Sequence, residues 1–122
     1  MRALRAAFCA ATFLTTTILV HAPASAHGAL AIGACGAYGF SRGYAATSQA
    51  EKEALSRCSG KNCKIVASVR GTCMAFSVEL ANPCGAYGYA TGEGLARTQN
   101  RALRECSRNG GKDCVIRAFA CD

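Results

Sequence analysis

Eight cysteines recur in a fixed order along the chain: Cys35, Cys58, Cys63 and Cys73, then Cys84, Cys106, Cys114 and Cys121. Thiols at this density serve as metal ligands, as nucleophiles or as halves of disulfides, and their spacing helps to separate the three. Four residues lie between Cys58 and Cys63 and seven between Cys106 and Cys114, unlike the tight pairs of most structural zinc sites. A nucleophilic thiolate needs a stabilising neighbour and a general base, and the sequence shows neither. Disulfide chemistry is left, with no metal and no cofactor expected.

A second candidate chemistry is cationic. Arg97, Arg101, Arg104 and Arg108 follow one another at intervals of four, three and four, which holds them within roughly a 60° stripe of a helix turning about 100° per residue. Ala102, Leu103 and Cys106 fall on the other side. An exposed ridge of guanidiniums grips phosphates, carboxylates or sulfated glycans in bidentate fashion; an ordinary solvated helix face gives the same pattern, and Glu105 dilutes its field. The earlier segment with Glu51, Lys52, Glu53 and Arg57 has no such stripe. Tyr38 with Phe40, and Tyr87 with Tyr89, share a strand face because side chains alternate with period two. Core packing is expected for them rather than an aromatic platform for glycans or peptides, with Tyr44 the better exposed contact.

The N-terminal segment places these groups outside the cytoplasm. Arg2 and Arg5 precede the apolar run 6–20, which is too short to span a bilayer, and Ala24-Ser25-Ala26 is a small-x-small cleavage site. Residues 1–26 read as a signal peptide, and residues 27–122 as a single domain built from two repeats, 28–72 and 73–122. Cleavage removes Cys9 and leaves an even set of eight thiols in an oxidising compartment, periplasmic or secreted. It also leaves His27 as the only imidazole, which excludes a histidine-based triad and a multi-histidine metal site. Ile32-Gly33-Ala34-Cys35 loosely resembles a lipobox, but the apolar run ends well before Cys35, so acylation is not expected. Losing Arg2 and Arg5 lowers the formal charge from +7 to +5, a weak bias toward anionic partners. No recognition motif points to nucleic acid.

The phrase Cys-Gly-Ala-Tyr-Gly occurs at 35–39 and again at 84–88, each copy followed by three more cysteines in the same order. The chain is a tandem duplication, and such a unit usually needs its sister to bury its apolar face. In the first copy the pattern predicts strands over 29–32 and 37–42, a helix opened by the capping box Ser48-Gln49-Ala50-Glu51 and ending near Cys58, and a β-branched strand over 65–69. In the second it predicts strands over 74–79 and 86–90, a helix over 95–107 with Gly92 and Gly94 blurring its start, and a strand over 115–120. The expected fold is α+β, two tandem strand-strand-helix-strand repeats related by a pseudo-twofold and stabilised by disulfides.

Chain direction constrains the bridges. Cys58 with Cys63, and Cys106 with Cys114, join a helix end to the next strand across a turn, where closure costs little. A right-handed strand-helix-strand crossover makes its two flanking strands parallel, placing Cys35 at one end of the sheet and Cys73 at the other. The second copy separates Cys84 from Cys121 in the same way. A disulfide tolerates a Cα separation of only about 4.4 to 6.8 Å, whereas a strand rises about 3.3 Å per residue. Cys35 with Cys84 and Cys73 with Cys121 are therefore expected, both bridging the copies.

Two GAYG strands, each followed by an Ala-rich helix closing in Leu-x-x-Cys (Leu55 to Cys58, Leu103 to Cys106) and a Cys-led β-branched strand (Cys63-Lys64-Ile65-Val66, Cys114-Val115-Ile116), resemble the bacterial domain of unknown function 4189 family. The likeness covers essentially residues 28–122. It implies a small exported cysteine-bearing protein, with no catalytic residues to carry over. The expected function is a non-catalytic secreted or periplasmic interaction module, not an enzyme, with an unidentified protein or an anionic envelope polymer as its partner. The alternative is a secreted cationic effector or antimicrobial factor that meets anionic surfaces through the arginine ridge.

Overall fold

The computed structural model describes residues 26–121. Apart from Ala26, the expected leader lies outside the described residues, as does residue 122. Strand β1 (His27–Ile32) leads through a short 3-10 turn at Ala34–Gly36 into β2 (Tyr38–Tyr44), helix α1 (Thr47–Arg57) and β3 (Lys64–Arg70). The order then repeats as β4 (Cys73–Glu79), β5 (Tyr87–Gly92), α2 (Leu95–Arg108) and β6 (Cys114–Cys121). Each half forms its own three-stranded sheet, in the orders β2-β1-β3 and β5-β4-β6. The middle strand is antiparallel to both neighbours, so each helix links two parallel outer strands across it.

Alternation along the middle strands dictates the layering. In β1, Leu30 and Ile32 face the other sheet, while Ala29 and Ala31 lie beneath α1 with Ala50 and Ala54. In β4, Met74, Phe76 and Val78 join Leu30 and Ile32 in the shared core, and Ala75 packs with Ala90 and Ala102 on the α2 side. Large side chains thus cement sheet to sheet and small ones seat the helices, giving four layers: helix, sheet, sheet, helix. Phe76, Leu30, Met74 and Val78 are fully buried, and each such burial contributes about 1.5 to 3 kcal/mol.

Closeness of helix to sheet depends on the glycines of the repeated phrase. A methyl on Gly39 would meet the Ala54 carbonyl oxygen and the Cys58 amide; one on Gly88 would meet the Ala102 carbonyl oxygen and the Cys106 amide. Buried serines fasten the same contacts. Ser77 Oγ donates to the Ala102 carbonyl at 2.7 Å, and Ser41 Oγ donates to that of Ala50 while accepting from the Ala29 amide at 3.2 Å. Ser41→Ala would remove the tie between β2 and the Ala50 carbonyl, so the expected loss in urea unfolding is about 0.5 to 1.5 kcal/mol. A wild-type midpoint would mean that this tie adds nothing to stability.

The capping box does not form. Helix α1 starts two residues earlier than that motif allows, with Ala46 at the N-cap in place of Ser48 and no side-chain cap. Thr47 Oγ1 instead lies 2.9 Å from His27 Nδ1, and the Glu51 carboxylate accepts from Ser68 Oγ at 2.6 Å. Glu51 is thus drawn to β3 in place of a local helix amide, and Thr47 to β1. Helix α2 has Gly94 as its N-cap, and buried Thr98 ties its first turn to the Gly92 and Gly94 carbonyls.

Four disulfides join Cys35 to Cys84, Cys58 to Cys63, Cys73 to Cys121 and Cys106 to Cys114. One expectation about them is corrected. Cys73 already opens β4 and lies opposite Cys121 in the β4–β6 register, so this bridge staples two strands of the second sheet and does not span the copies. Gly71-Thr72 is too short a turn to keep Cys73 with the first half. Cys35–Cys84 is the bridge that links the halves.

Candidate functional site

Helix α2 rests on its sheet through buried Thr98, Ala102 and Cys106, and this fixes what its other side displays. Arg97, Arg101, Arg104 and Arg108 are all exposed. Arg108 Nη1 pairs with Glu105 Oε1 at 2.8 Å, an exposed contact of the kind that contributes about 0 to 1 kcal/mol. Arg101 Nη1 donates to the Thr91 carbonyl at 2.9 Å. Arg97 and Arg104 make no hydrogen bond or ion pair among the described residues, and are positioned only by the helix.

Between α2 and the outer edge of β5 lies an open cleft of about 420 Å³, lined by Tyr87, Gly88, Tyr89, Ala90, Arg101, Glu105 and Asn109. Asn109 Nδ2 donates to the Tyr87 carbonyl at 2.7 Å. Glu105 and Asn109 follow Arg101 at i+4 and i+8, so one line of the helix overlooks the strand. Tyr87 and Tyr89 are 40% and 38% exposed, and Tyr87 leans edge-on against Phe76 with ring centroids 6.2 Å apart. Tyr38 and Phe40 are half-buried, their rings 5.8 Å apart, and Tyr38 stacks toward Phe76 at 6.0 Å. Tyr87 and Tyr89 wall this cleft, and Phe40 lines another with Arg42, Arg57 and Phe119. Tyr44 is half-buried against the α1 cluster, not fully exposed.

The matching place in the first half is built with the opposite charge order. Glu53 and Arg57 stand where the second half has Arg101 and Glu105, counted back from Cys58 and Cys106. Arg57 Nε bonds Glu53 at 2.8 Å, and its Nη1 donates to the Phe40 carbonyl at 3.0 Å. Phe40 corresponds to Tyr89 in the repeated phrase.

No group of three or more His, Cys, Asp or Glu side chains able to hold a metal occurs among the described residues, and all eight cysteines from Cys35 to Cys121 are engaged in disulfides. A family model described as a domain of unknown function (DUF4189) matches residues 27–121. The chain belongs to the DUF4189 family. No curated protein matches the sequence. Among solved structures, the NMR structure of Rv1813c from Mycobacterium tuberculosis is similar with a TM-score of 0.60 at 23% identity, over 99% of this chain and 100% of that one. The likeness is one of fold, and it embraces both halves of this DUF4189 chain. Among its described residues no helix is long and apolar enough to cross a membrane.

Proposed function

We propose that the protein is a non-catalytic interaction module of an extracytoplasmic, oxidising compartment, binding an anionic partner through the exposed side of α2. The observation that carries this reading is the set of four exposed guanidiniums on one helix, two of them without any partner among the described residues. Four disulfides are compatible with export, and the apolar N-terminal run supports it.

The positive excess of the expected exported form also supports a second reading, a cationic effector acting on anionic surfaces of another cell. Location separates the two: recovery from the growth medium favours the effector, and retention in the periplasm favours the module.

The oxidised protein is expected to bind a heparin column and to elute with added salt, because each phosphate- or sulfate-gripping arginine contributes a screened charge interaction. Changing Arg97, Arg101, Arg104 and Arg108 together to alanine should bring elution to the starting buffer. Retention that is undiminished by those four changes would remove the α2 reading.

A further inference from the structure

The edge of β5 differs from an ordinary sheet edge in which main-chain groups are already taken. The Glu79 amide donates to the Ala86 carbonyl at 3.0 Å, so residues 79 and 86 form a hydrogen-bonded pair of the β4–β5 ladder. Such pairs alternate along an antiparallel ladder. The pairs Ser77 with Gly88 and Ala75 with Ala90 therefore turn inward, and Tyr87, Tyr89 and Thr91 present their N–H and C=O groups to the cleft. Asn109 and Arg101 occupy the carbonyls of Tyr87 and Thr91. Tyr89, between them, has an outward amide and an outward carbonyl with no partner among the described residues.

The first half shows why this gap exists. There Arg57 donates to the Phe40 carbonyl, the counterpart of Tyr89. In the second half the position of Arg57 is held by Glu105, and a carboxylate is acceptor-only, so it cannot seal a carbonyl. Glu105 turns to Arg108 instead. The substitution opens the strand edge and leaves it beside three further arginines.

Resting on the anion-binding reading of α2, we propose that β5 receives an extended acidic peptide as an additional strand. One residue of the peptide exchanges both main-chain hydrogen bonds with Tyr89, the tyrosine rings flank it, and its carboxylates meet the α2 guanidiniums. Strand addition draws affinity from main-chain bonds and specificity from alternate side chains, and the cleft supplies both. Charge selects this occupant over a second copy of the chain, because pairing two β5 edges would bring two arginine ridges together.

The test uses the oxidised protein and a blocked nine-residue peptide of alternating Glu and Val, with a heparin hexasaccharide as an anion that has no main chain. The peptide is expected to shift the amide resonances of 87–91. N-methylation across its five central amides should weaken it about tenfold or more, since the strand bonds are lost. Glu105→Arg is the second probe, chosen because it returns a guanidinium to the position from which Arg57 seals the edge carbonyl in the first half. It should weaken the peptide about tenfold while heparin binding holds or strengthens, whereas purely electrostatic attraction would strengthen both. Undiminished binding of the N-methylated peptide, a footprint away from β5, or a peptide tightened by Glu105→Arg would overturn strand addition. If the hexasaccharide binds α2 and the peptide does not, strand addition fails alone; if neither binds, the α2 reading fails with it.

Discussion

Replacing Cys35 and Cys84 together by alanine is expected to lower the free energy of unfolding by roughly 4 kcal/mol, whereas replacing Cys58 and Cys63 should cost roughly 2 kcal/mol. The first pair is 49 residues apart and the second 5. A bridge stabilises mainly by denying the unfolded chain its loop entropy, and that entropy grows with the logarithm of loop length. Cys35 and Cys84 are both exposed, so their removal opens no cavity, whereas Cys58 packs in the α1 cluster and a short-bridge loss above about 2 kcal/mol includes that packing. Urea titration of the two double variants under non-reducing conditions measures both losses. A loss of about 2 kcal/mol or less from the Cys35 and Cys84 variant would mean that the long bridge does not act chiefly on the unfolded state.

Gly88→Ala carries the second large effect, an expected loss of about 3 kcal/mol at the upper end of overpacking costs. The added methyl would fall on the Ala102 carbonyl oxygen and the Cys106 amide. Those are helix backbone atoms, and Cys106 is bonded to Cys114, so α2 cannot yield by turning a side chain. Retreat of the helix would also loosen the Ser77 bond to Ala102. A variant unfolding at the wild-type urea midpoint would show that the contact is slack.

The duplication, the order of elements and the helix-facing role of the Gly-Ala strands were legible because period-two alternation of small and large residues encodes which layer each side chain enters. The pairing of Cys35 with Cys84 was legible for a related reason, since strand direction alone sorts sulfurs to the ends of a sheet. Strand membership was not. Cys73 follows the first repeat in sequence, yet a two-residue turn hands it to the second sheet, and only the β4–β6 register reveals that its bridge is internal. The capping box misled because the helix opens at Thr47, which puts Ser48 inside it, and because Glu51 found a partner on β3, a tertiary choice that local pattern does not register.

The arginine stripe was readable as helix geometry, and its exposure follows from the burial of Thr98, Ala102 and Cys106. The cleft beside it was not readable. Asn109 acts on a main-chain carbonyl 22 positions away, and carbonyls have no letter in a sequence. The exchange of Arg57 for Glu105 is visible once the repeats are aligned on Cys58 and Cys106, but its meaning appears only when Arg57 is seen closing the Phe40 carbonyl.

That exchange bears on valency. Two like halves would ordinarily offer two equivalent grips and let one molecule cross-link its ligands, but the Phe40 carbonyl is already occupied from α1 while that of Tyr89 is not. Toward any strand adding at β5 the molecule is univalent, and its first half serves as a buttress whose sheet backs the second.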